Sequence, residues 1–340
     1  MSASPKERLI RVLDKKKVDR PPVICPGGMM NSAIVEIMEK TGHTLPEAHK
    51  DSALMAGLSK DISEYTGFEN FGLPYCLTVE AEVLGSEINF GSLKCEPKIE
   101  KEAFKSVSLV EMKNINSLLK SGRVETIVQA GYILSKKYED IPVIGNITGP
   151  ISTSASIVDP MMFLRELRKD KVNSNRVIDY VSDFLIAYSA LLIENGAKII
   201  SIGDPTATGE ILGPRLFEEF AVPYLNKVID SIHNLGARVI VHICGNMNMV
   251  RHLLKDIRTD AISTDAMVNL KALKEEYPVL TTMGNLSTYL LEFSGEEKIR
   301  GATEVLLRDG IDIISPACGL STSTPLSSIR ALTGAVRDDS

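Results

Sequence analysis

One histidine and two cysteines have the residue types and spacing of a metal site. The segment VIVHICGN places His242 and Cys244 two residues apart at the end of an apolar run, and residues i and i+2 of an extended strand point to the same face. Cys318 follows another apolar run, in SPACG. A Cys₂His set is typical of zinc with an open fourth position, whereas Mg²⁺ and Ca²⁺ prefer oxygen. The alternative is two small buried cysteines and a hydrogen-bonded core histidine.

Asp265 is a candidate fourth ligand. It ends the apolar run in DAISTDAM, between the other candidate ligands. A carboxylate there could fill the open metal position and leave when a thiol arrives. The alternative role for Asp265 is the N-cap of a helix that begins at Ala266.

Other polar residues at the ends of predicted strands could line a cofactor cavity: Asn146, Asp204, Asn246 and Asn285. Asp204 in SIGDP could accept a hydrogen bond from His242 and orient it, or it could be a turn residue before Pro205. The Gly- and Met-rich segment 25–31 either forms a flexible rim near an apolar ligand or fills gaps in the core.

Strands and helices that alternate along the chain must bring these residues together. The predicted strands are 22–26, a region near 75–79, 142–147, 198–202, 238–242, 260–264, 279–283 and 311–315. The predicted helices between them include 124–138, 214–235, 248–255, 270–276 and 296–308. Three glycines that directly precede strands are predicted to end helices in the left-handed conformation: Gly196, Gly236 and Gly310.

Eight strands joined by crossover helices predict an α/β protein with a (β/α)₈ TIM barrel. All strand C-termini of a barrel meet at one face, so Cys318 can reach His242 and Cys244 across a long stretch of sequence. A doubly wound open sheet is the alternative, disfavoured because the chain has no Gly-rich phosphate loop. We expect a single domain over 1–340, with an N-terminal helical extension at 1–20 and a β-hairpin excursion at 80–120.

Composition excludes several classes of protein. The net charge is −6 and the only dense basic run is 15–17, which argues against nucleic acid as a partner. No apolar run approaches the ~18 residues of a membrane helix, and the N-terminus does not resemble a signal peptide. Five scattered cysteines do not form a disulfide framework. We therefore expect a cytoplasmic protein that binds neither membranes nor nucleic acid.

Several segments spread over the chain resemble one family. They are LPYCLTVEAEVLGSEINFG (73–91), VIGNITGPIS (143–152), GPRLFEEFAVPYL (213–225), VHICGN (241–246) and SPACGLSTSTPL (315–326). With the His-x-Cys…Cys pattern, they are similar to the methylcobamide:coenzyme M methyltransferases, barrels of the uroporphyrinogen decarboxylase-like superfamily. The resemblance implies that His242, Cys244 and Cys318 hold Zn²⁺, and it makes Asp265 the candidate fourth ligand.

The same resemblance implies a reaction. A methyl group would move from a methylated corrinoid (methylcobalamin), carried on a separate corrinoid protein, to a small thiol such as coenzyme M. A free thiol is mostly protonated at neutral pH, whereas a thiol on zinc is a nucleophilic thiolate.

Three other functions remain as alternatives. The methyl acceptor could be a folate, tetrahydrofolate, or another thiol. A uroporphyrinogen decarboxylase-type lyase would require arginines in the loop after the first strand, but no arginine lies between Arg20 and Arg123. A non-catalytic corrinoid- or zinc-binding scaffold would need no open metal position.

Overall fold

Two sheets contain the strands of the computed structural model, which describes residues 3–338. The strands are β1 (Phe71–Leu73), β2 (Glu87–Asn89), β3 (Lys98–Lys101), β4 (Val143–Thr148), β5 (Ile199–Gly203), β6 (Arg238–Ile243), β7 (Ala261–Thr264) and β8 (Thr282–Met283). The larger sheet has the order β1-β4-β5-β6-β7-β8, with all neighbours parallel. Strands β2 and β3 form a separate antiparallel pair. The chain is therefore an α/β protein whose main sheet is parallel.

Hydrogen bonds extend the larger sheet beyond both of its edge strands. Met283 of β8 forms a parallel bridge with Ile313, and the adjacent Ile314 forms one with Val23. The N–H of Glu69, just before β1, donates to the Val23 carbonyl at 2.9 Å. Backbone bonds therefore connect segments that lie between β8 and β1.

Helices connect and cover the strands. The α-helices of the described residues are α1 (Pro5–Leu13), α2 (Val35–Thr41), α3 (Ser52–Thr66), α4 (Val79–Val83), α5 (Ile115–Leu118), α6 (Val124–Lys137), α7 (Pro150–Ile157), α8 (Pro160–Lys169), α9 (Lys171–Glu194), α10 (Gly209–Leu216), α11 (Val222–Asn234), α12 (Leu270–Glu276), α13 (Thr288–Phe293), α14 (Glu296–Arg308) and α15 (Leu326–Asp338). Short 3₁₀ turns span Glu47–His49, Val107–Leu109 and Asn248–Asp256, and a π-helical turn spans Phe217–Ala221. Within residues 3–338, no helix is long and apolar enough to cross a membrane.

The core of the sheet is made by strands that are apolar on both faces. Every residue of β4 and β5 is buried, as is β6 after its first residue. Parallel strands with both faces buried have this composition. The predicted helix-ending glycines have positive φ, at 111° for Gly196, 80° for Gly236 and 71° for Gly310. These three turns are confirmed.

The structure confirms most predicted strands and corrects three. Predictions at 142–147, 198–202, 238–242 and 260–264 fall on β4 to β7, and that at 279–283 shortens to β8. The prediction near 75–79 is wrong: the strand is β1, and Val79 already begins α4. The predicted strands 22–26 and 311–315 are reduced to single bridges. Proline explains the first of these, since Pro22 and Pro26 have no N–H to donate to a ladder.

Most predicted helices are present, and one is divided. The helices predicted at 270–276 and 296–308 match α12 and α14, and 124–138 matches α6 to within one residue. The helix predicted at 214–235 is a chain of α10, the π-helical turn and α11. Gly213, with φ of 69°, bends α10 just before Pro214. The helix predicted at 248–255 is a 3₁₀ helix.

The two predicted excursions are present in modified form. In the region 80–120, only β2 and β3 form a hairpin; α4, a 3₁₀ turn, α5 and the loops between them make up the rest. The N-terminal extension is α1, capped by Ser4, whose Oγ accepts from the Glu7 N–H at 3.2 Å. Residues 1 and 2 of the predicted extension, and residues 339 and 340 of the predicted single domain, lie outside the described residues.

Candidate metal centre

The loops that follow neighbouring strands bring the three candidate ligands together. His242 is near the end of β6 and Cys244 directly follows this strand. Cys318 comes two residues after Pro316, which forms a parallel bridge with Leu286 just beyond β8. The ligand atoms of His242, Cys244 and Cys318 all lie within 4.8 Å of one another. The structure thus places the predicted residues in one cluster at the C-terminal ends of the strands.

Ser263 fixes the orientation of the His242 ring. Its Oγ lies 2.9 Å from His242 Nδ1 and 3.7 Å from Met30 Sδ. When the serine hydroxyl points at the sulfur, its oxygen can accept from an Nδ1–H. His242 Nε2 is then the nitrogen with a free lone pair.

His242 Nε2 is buried and has no hydrogen-bond partner within residues 3–338. A buried polar atom without a partner costs free energy, and such atoms in native proteins usually have a functional reason. A metal ion at Nε2 would satisfy this atom. The donor set, one imidazole nitrogen and two sulfurs, fits Zn²⁺.

The two sulfur atoms share a hydrogen bond, with the Cys244 thiol donating to Cys318 Sγ at 3.2 Å. This bond, together with burial, raises the pKa of Cys244 well above its usual range. The same bond lowers the pKa of Cys318. Cys318 is therefore the first of the pair to ionise, and Cys244 needs a nearby positive charge to follow.

Asp265 lies beside the cysteines. Its Oδ2 is 3.5 Å from Cys244 Sγ, while its Oδ1 accepts from the Met267 N–H at 3.0 Å. The expected alternative, a helix N-cap, is wrong: Asp265 caps a turn, and the N-cap of α12 is Asn269. Asp265 Oδ1 thus holds the loop, and Oδ2 faces the cysteines. The role of Asp265 as fourth ligand stays a prediction.

The Asp204 carboxylate binds residues of α7 and not His242. Its carboxylate accepts from the Ser152 N–H and hydroxyl at 2.8 and 2.6 Å, and from the Ile151 N–H at 3.2 Å. It therefore caps α7, and the hypothesis that it orients His242 is wrong because Ser263 fills that position. Burial raises the pKa of Asp204 to about 6, against the opposing effect of these hydrogen bonds.

The three candidate asparagines hold backbone segments in place. Asn146 Nδ2 donates to the carbonyls of Pro26 and Leu73 at 2.8 and 3.0 Å. Asn285 Nδ2 donates to Asp265 O at 2.8 Å, and Asn246 Oδ1 accepts a backbone N–H from its own loop. Their roles in cofactor binding stay predictions.

Sequence reasoning missed Ser263 and the position of the Met-rich segment. Ser263, in strand β7, lies two residues before Asp265. Residues i and i+2 of a strand point to the same face, the rule that paired His242 with Cys244, so Ser263 could have been found in the same way. The insertion of segment 25–31 among the strand ends has no comparable signal, since it depends on contacts between distant parts of the chain.

Comparisons with known proteins show to which family the chain belongs. Residues 4–338 match the uroporphyrinogen decarboxylase (URO-D) family. The methylcobamide:CoM methyltransferase MtbA of Methanosarcina acetivorans is 34% identical, covering 97% of this chain and 96% of its own. MtaA of Methanosarcina barkeri, a methyltransferase of the same description, is 30% identical over 98% of this chain and 97% of its own.

A solved structure described as a methyltransferase from Methanosarcina mazei superposes with a TM-score of 0.93 at 29% identity, covering 99% of both chains. Curated uroporphyrinogen decarboxylases align over a smaller part, for example 28% identity over 50% of this chain for the Myxococcus xanthus enzyme. The chain belongs to the uroporphyrinogen decarboxylase (URO-D) family and, within it, is a methyltransferase of the methylcobamide:CoM methyltransferase group.

Proposed function

We propose that this methyltransferase moves a methyl group from a methylated corrinoid, carried on a separate corrinoid protein, to a small thiol at a zinc site. The observation that carries the proposal is the cluster of His242, Cys244 and Cys318 with an unpartnered Nε2. The relatives support it, because their names describe methyl transfer from methylcobamide to coenzyme M.

Each residue of the centre would have a separate task. His242 Nε2 and the two cysteine sulfurs would hold the zinc, and Ser263 would keep the imidazole in the tautomer that leaves Nε2 free. Two thiolates and a neutral imidazole balance the charge of Zn²⁺. When bound, zinc would keep the acceptor thiol as a nucleophilic thiolate at neutral pH. Asp265 would occupy the fourth position until that thiol arrives.

A thiol is favoured over tetrahydrofolate as the acceptor. The soft N/S₂ donor set suits a site that binds one further sulfur, whereas a folate amine has no evident need of it. A relative from Methanosarcina mazei, 26% identical over 98% of this chain, is named methylated-thiol–coenzyme M methyltransferase. Coenzyme M is the thiol that we propose.

We also propose that the parallel sheet closes as a (β/α)₈ barrel within a single domain. The bridges Met283–Ile313 and Val23–Ile314 support this, because they supply two more strand positions between β8 and β1. The continuous apolar core, which runs from Leu9 to Val336, supports one domain. All five cysteines are free thiols. The cytoplasmic location stays a prediction.

Metal analysis tests the site. The purified protein should contain about one zinc per chain, and Cys318→Ala should lose most of it. Cys95→Ala is the matched control, because Cys95 is an exposed cysteine of the hairpin and its removal should leave the zinc content unchanged. Full zinc content in Cys318→Ala would rule out the proposed ligand set.

An acceptor screen tests the reaction. With methylcobalamin as donor, the protein should methylate coenzyme M, and the Cys318→Ala variant should not. Methylation of tetrahydrofolate with no thiol methylated would replace the proposed acceptor. If neither thiol nor folate demethylates the donor, a scaffold function is favoured.

A further inference from the structure

A tight turn enters the space between the strand ends. Gly27 and Met30 exchange two backbone hydrogen bonds of 3.1 and 2.9 Å, and Gly27 and Gly28 have φ of 97° and 57°. The thiol of Cys25 donates to the Met30 carbonyl at 3.0 Å. Residues 26–30, here called the Met turn, therefore form a closed loop with Met29 next to its tip.

Glycines on three sides leave room for the Met turn. A Cβ atom at Gly72 would lie 2.1 Å from the Pro26 carbonyl oxygen. One at Gly203 would lie 2.9 Å from Met29 Cβ, and one at Gly319 would lie 2.5 Å from the Met29 carbonyl oxygen. These distances are shorter than van der Waals contact, so the turn occupies its position only because these three residues have no side chain.

Two of these glycines are next to metal ligands. Gly203 ends β5 and is the register neighbour of His242 on β6, while Gly319 directly follows Cys318. Met29 therefore spans from the strand position beside His242 to the residue beside Cys318. The adjacent Met30 reaches Ser263, the hydrogen-bond partner of His242.

Met29 differs from Met30 in exposure. Met30 is 1% exposed, whereas Met29 and Leu77 are only partly buried. The Leu77 side chain approaches the same position over Gly203, with Cδ2 3.8 Å from the site of a Cβ there. Two apolar side chains thus present surface beside the candidate metal centre, where the chain of an acceptor thiol would lie.

We propose that Met29 is a specificity-determining residue that limits the acceptor to a short-chain thiol. The inference rests on the proposed function and extends it to the size of the substrate. A thiol whose sulfur sits at the metal must place its carbon chain in the space that Met29 leaves beside His242 and Cys318. A long chain meets the Met29 side chain. Hydrogen bonds hold the turn in place, from the Gly28 N–H to the Pro74 carbonyl at 2.7 Å and from Asn146 Nδ2 to the Pro26 carbonyl at 2.8 Å.

A shorter side chain at position 29 should let the site accept thiols with longer carbon chains. Burial of one methylene group is worth about fourfold in affinity. Met29→Ala should therefore raise the preference for a thiol with one additional methylene by about fourfold relative to coenzyme M, and by about tenfold or more with two. Met29→Leu, which keeps most of the volume, should retain the wild-type preference.

The experiment compares coenzyme M with its homologues that have one and two additional methylene groups. For wild type, Met29→Ala and Met29→Leu, kcat/KM is measured with methylcobalamin as donor, and the Kd of each thiol is measured by calorimetry. Met249→Ala is the control, since Met249 is a 57% exposed methionine in the 3₁₀ helix that follows β6. Zinc content and Tm establish that each variant is folded and loaded.

Three results are distinguishable. A chain-length preference that shifts in Met29→Ala but not in Met249→Ala or Met29→Leu supports the inference. The same chain-length profile in Met29→Ala and wild type overturns it while leaving the proposed function intact. If wild type neither binds nor methylates any of the three thiols, the proposed function fails and the size limit fails with it.

Discussion

Individual hydroxyl and carboxyl groups near the strand ends have distinct tasks that their residue types alone do not reveal. The Ser263 hydroxyl lies between His242 Nδ1 and Met30 Sδ. It therefore links the ring that we propose as a zinc ligand to the Met turn. Asp204, only one residue beyond β5, instead binds the N-terminus of α7.

Removal of the Ser263 hydroxyl should weaken metal binding. Ser263→Ala removes the hydrogen-bond partner of His242 Nδ1, and the zinc affinity should fall roughly 10- to 100-fold. Competition with a chromogenic chelator measures this change. Ser182→Ala is the control, because the Ser182 hydroxyl is buried but bonds only to a helix carbonyl, that of Ile178. Equal zinc affinity in the two variants would contradict the role of Ser263.

Asp204 should make stability depend on pH. Burial raises its pKa to about 6 in the folded chain, compared with roughly 4 when unfolded. The favourable contribution of the protonated form is thus complete below about pH 4 and is lost as the pH rises to about 6. Asp204→Asn, which does not titrate, should gain about 2 kcal/mol relative to wild type between pH 4 and pH 7. Urea unfolding at both pH values measures this gain; a constant difference between the two proteins would refute it.

At the scale of elements, the sequence predicts what depends on local pattern. The positions of β5 and β6 follow from apolar runs and from Gly196 and Gly236, which precede them, and β7 follows from its apolar run alone. The end of β6 places His242 and Cys244. Cys318 could be predicted only with the barrel geometry. The Met turn could not be predicted, because the space for it exists only where Gly72, Gly203 and Gly319, from distant parts of the chain, surround it.

Gly72 is the most sensitive of these positions. In Gly72→Ala, the new Cβ would lie 2.1 Å from a backbone oxygen, so the Met turn or β1 must shift. We expect a loss of about 1–3 kcal/mol in the free energy of unfolding. In Gly301→Ala, within α14, the Cβ meets nothing within 4 Å, and a gain of about 0.5–1 kcal/mol is expected. Thermal unfolding distinguishes the two signs, and an equal effect in both variants would contradict the packing described.

At the scale of the whole molecule, ion pairs attach α1 to the segment that precedes β1. Arg8 is 3% exposed and forms ion pairs of 2.8 Å with both Asp19 and Glu69. Arg20 also binds Glu69, at 2.6 Å. This network lies at the opposite ends of the strands from the metal centre, so it supports the fold and takes no direct part in the reaction.

Loss of Arg8 should destabilise the whole chain. Arg8→Ala leaves a buried carboxylate with one of its two arginines, and we expect a cost of about 2–3 kcal/mol. Arg11→Ala is the control in the same helix, because the exposed pair between Arg11 and Glu7 should contribute less than about 0.5 kcal/mol. Urea unfolding measures both. Equal stability of the two variants would show that the network has no net effect.

The candidate ligands are close in space but far apart along the chain, with a 3₁₀ helix, β7, α12, β8, α13 and α14 between Cys244 and Cys318. In the unfolded chain, a metal held by both ends would have to close this long loop at a cost in conformational entropy. Zinc should therefore bind the folded chain in preference and act as a cross-link between β6 and the segment after β8. Resistance to heat should then increase with the logarithm of free zinc, and chelation should remove thermal stability and methyl transfer together.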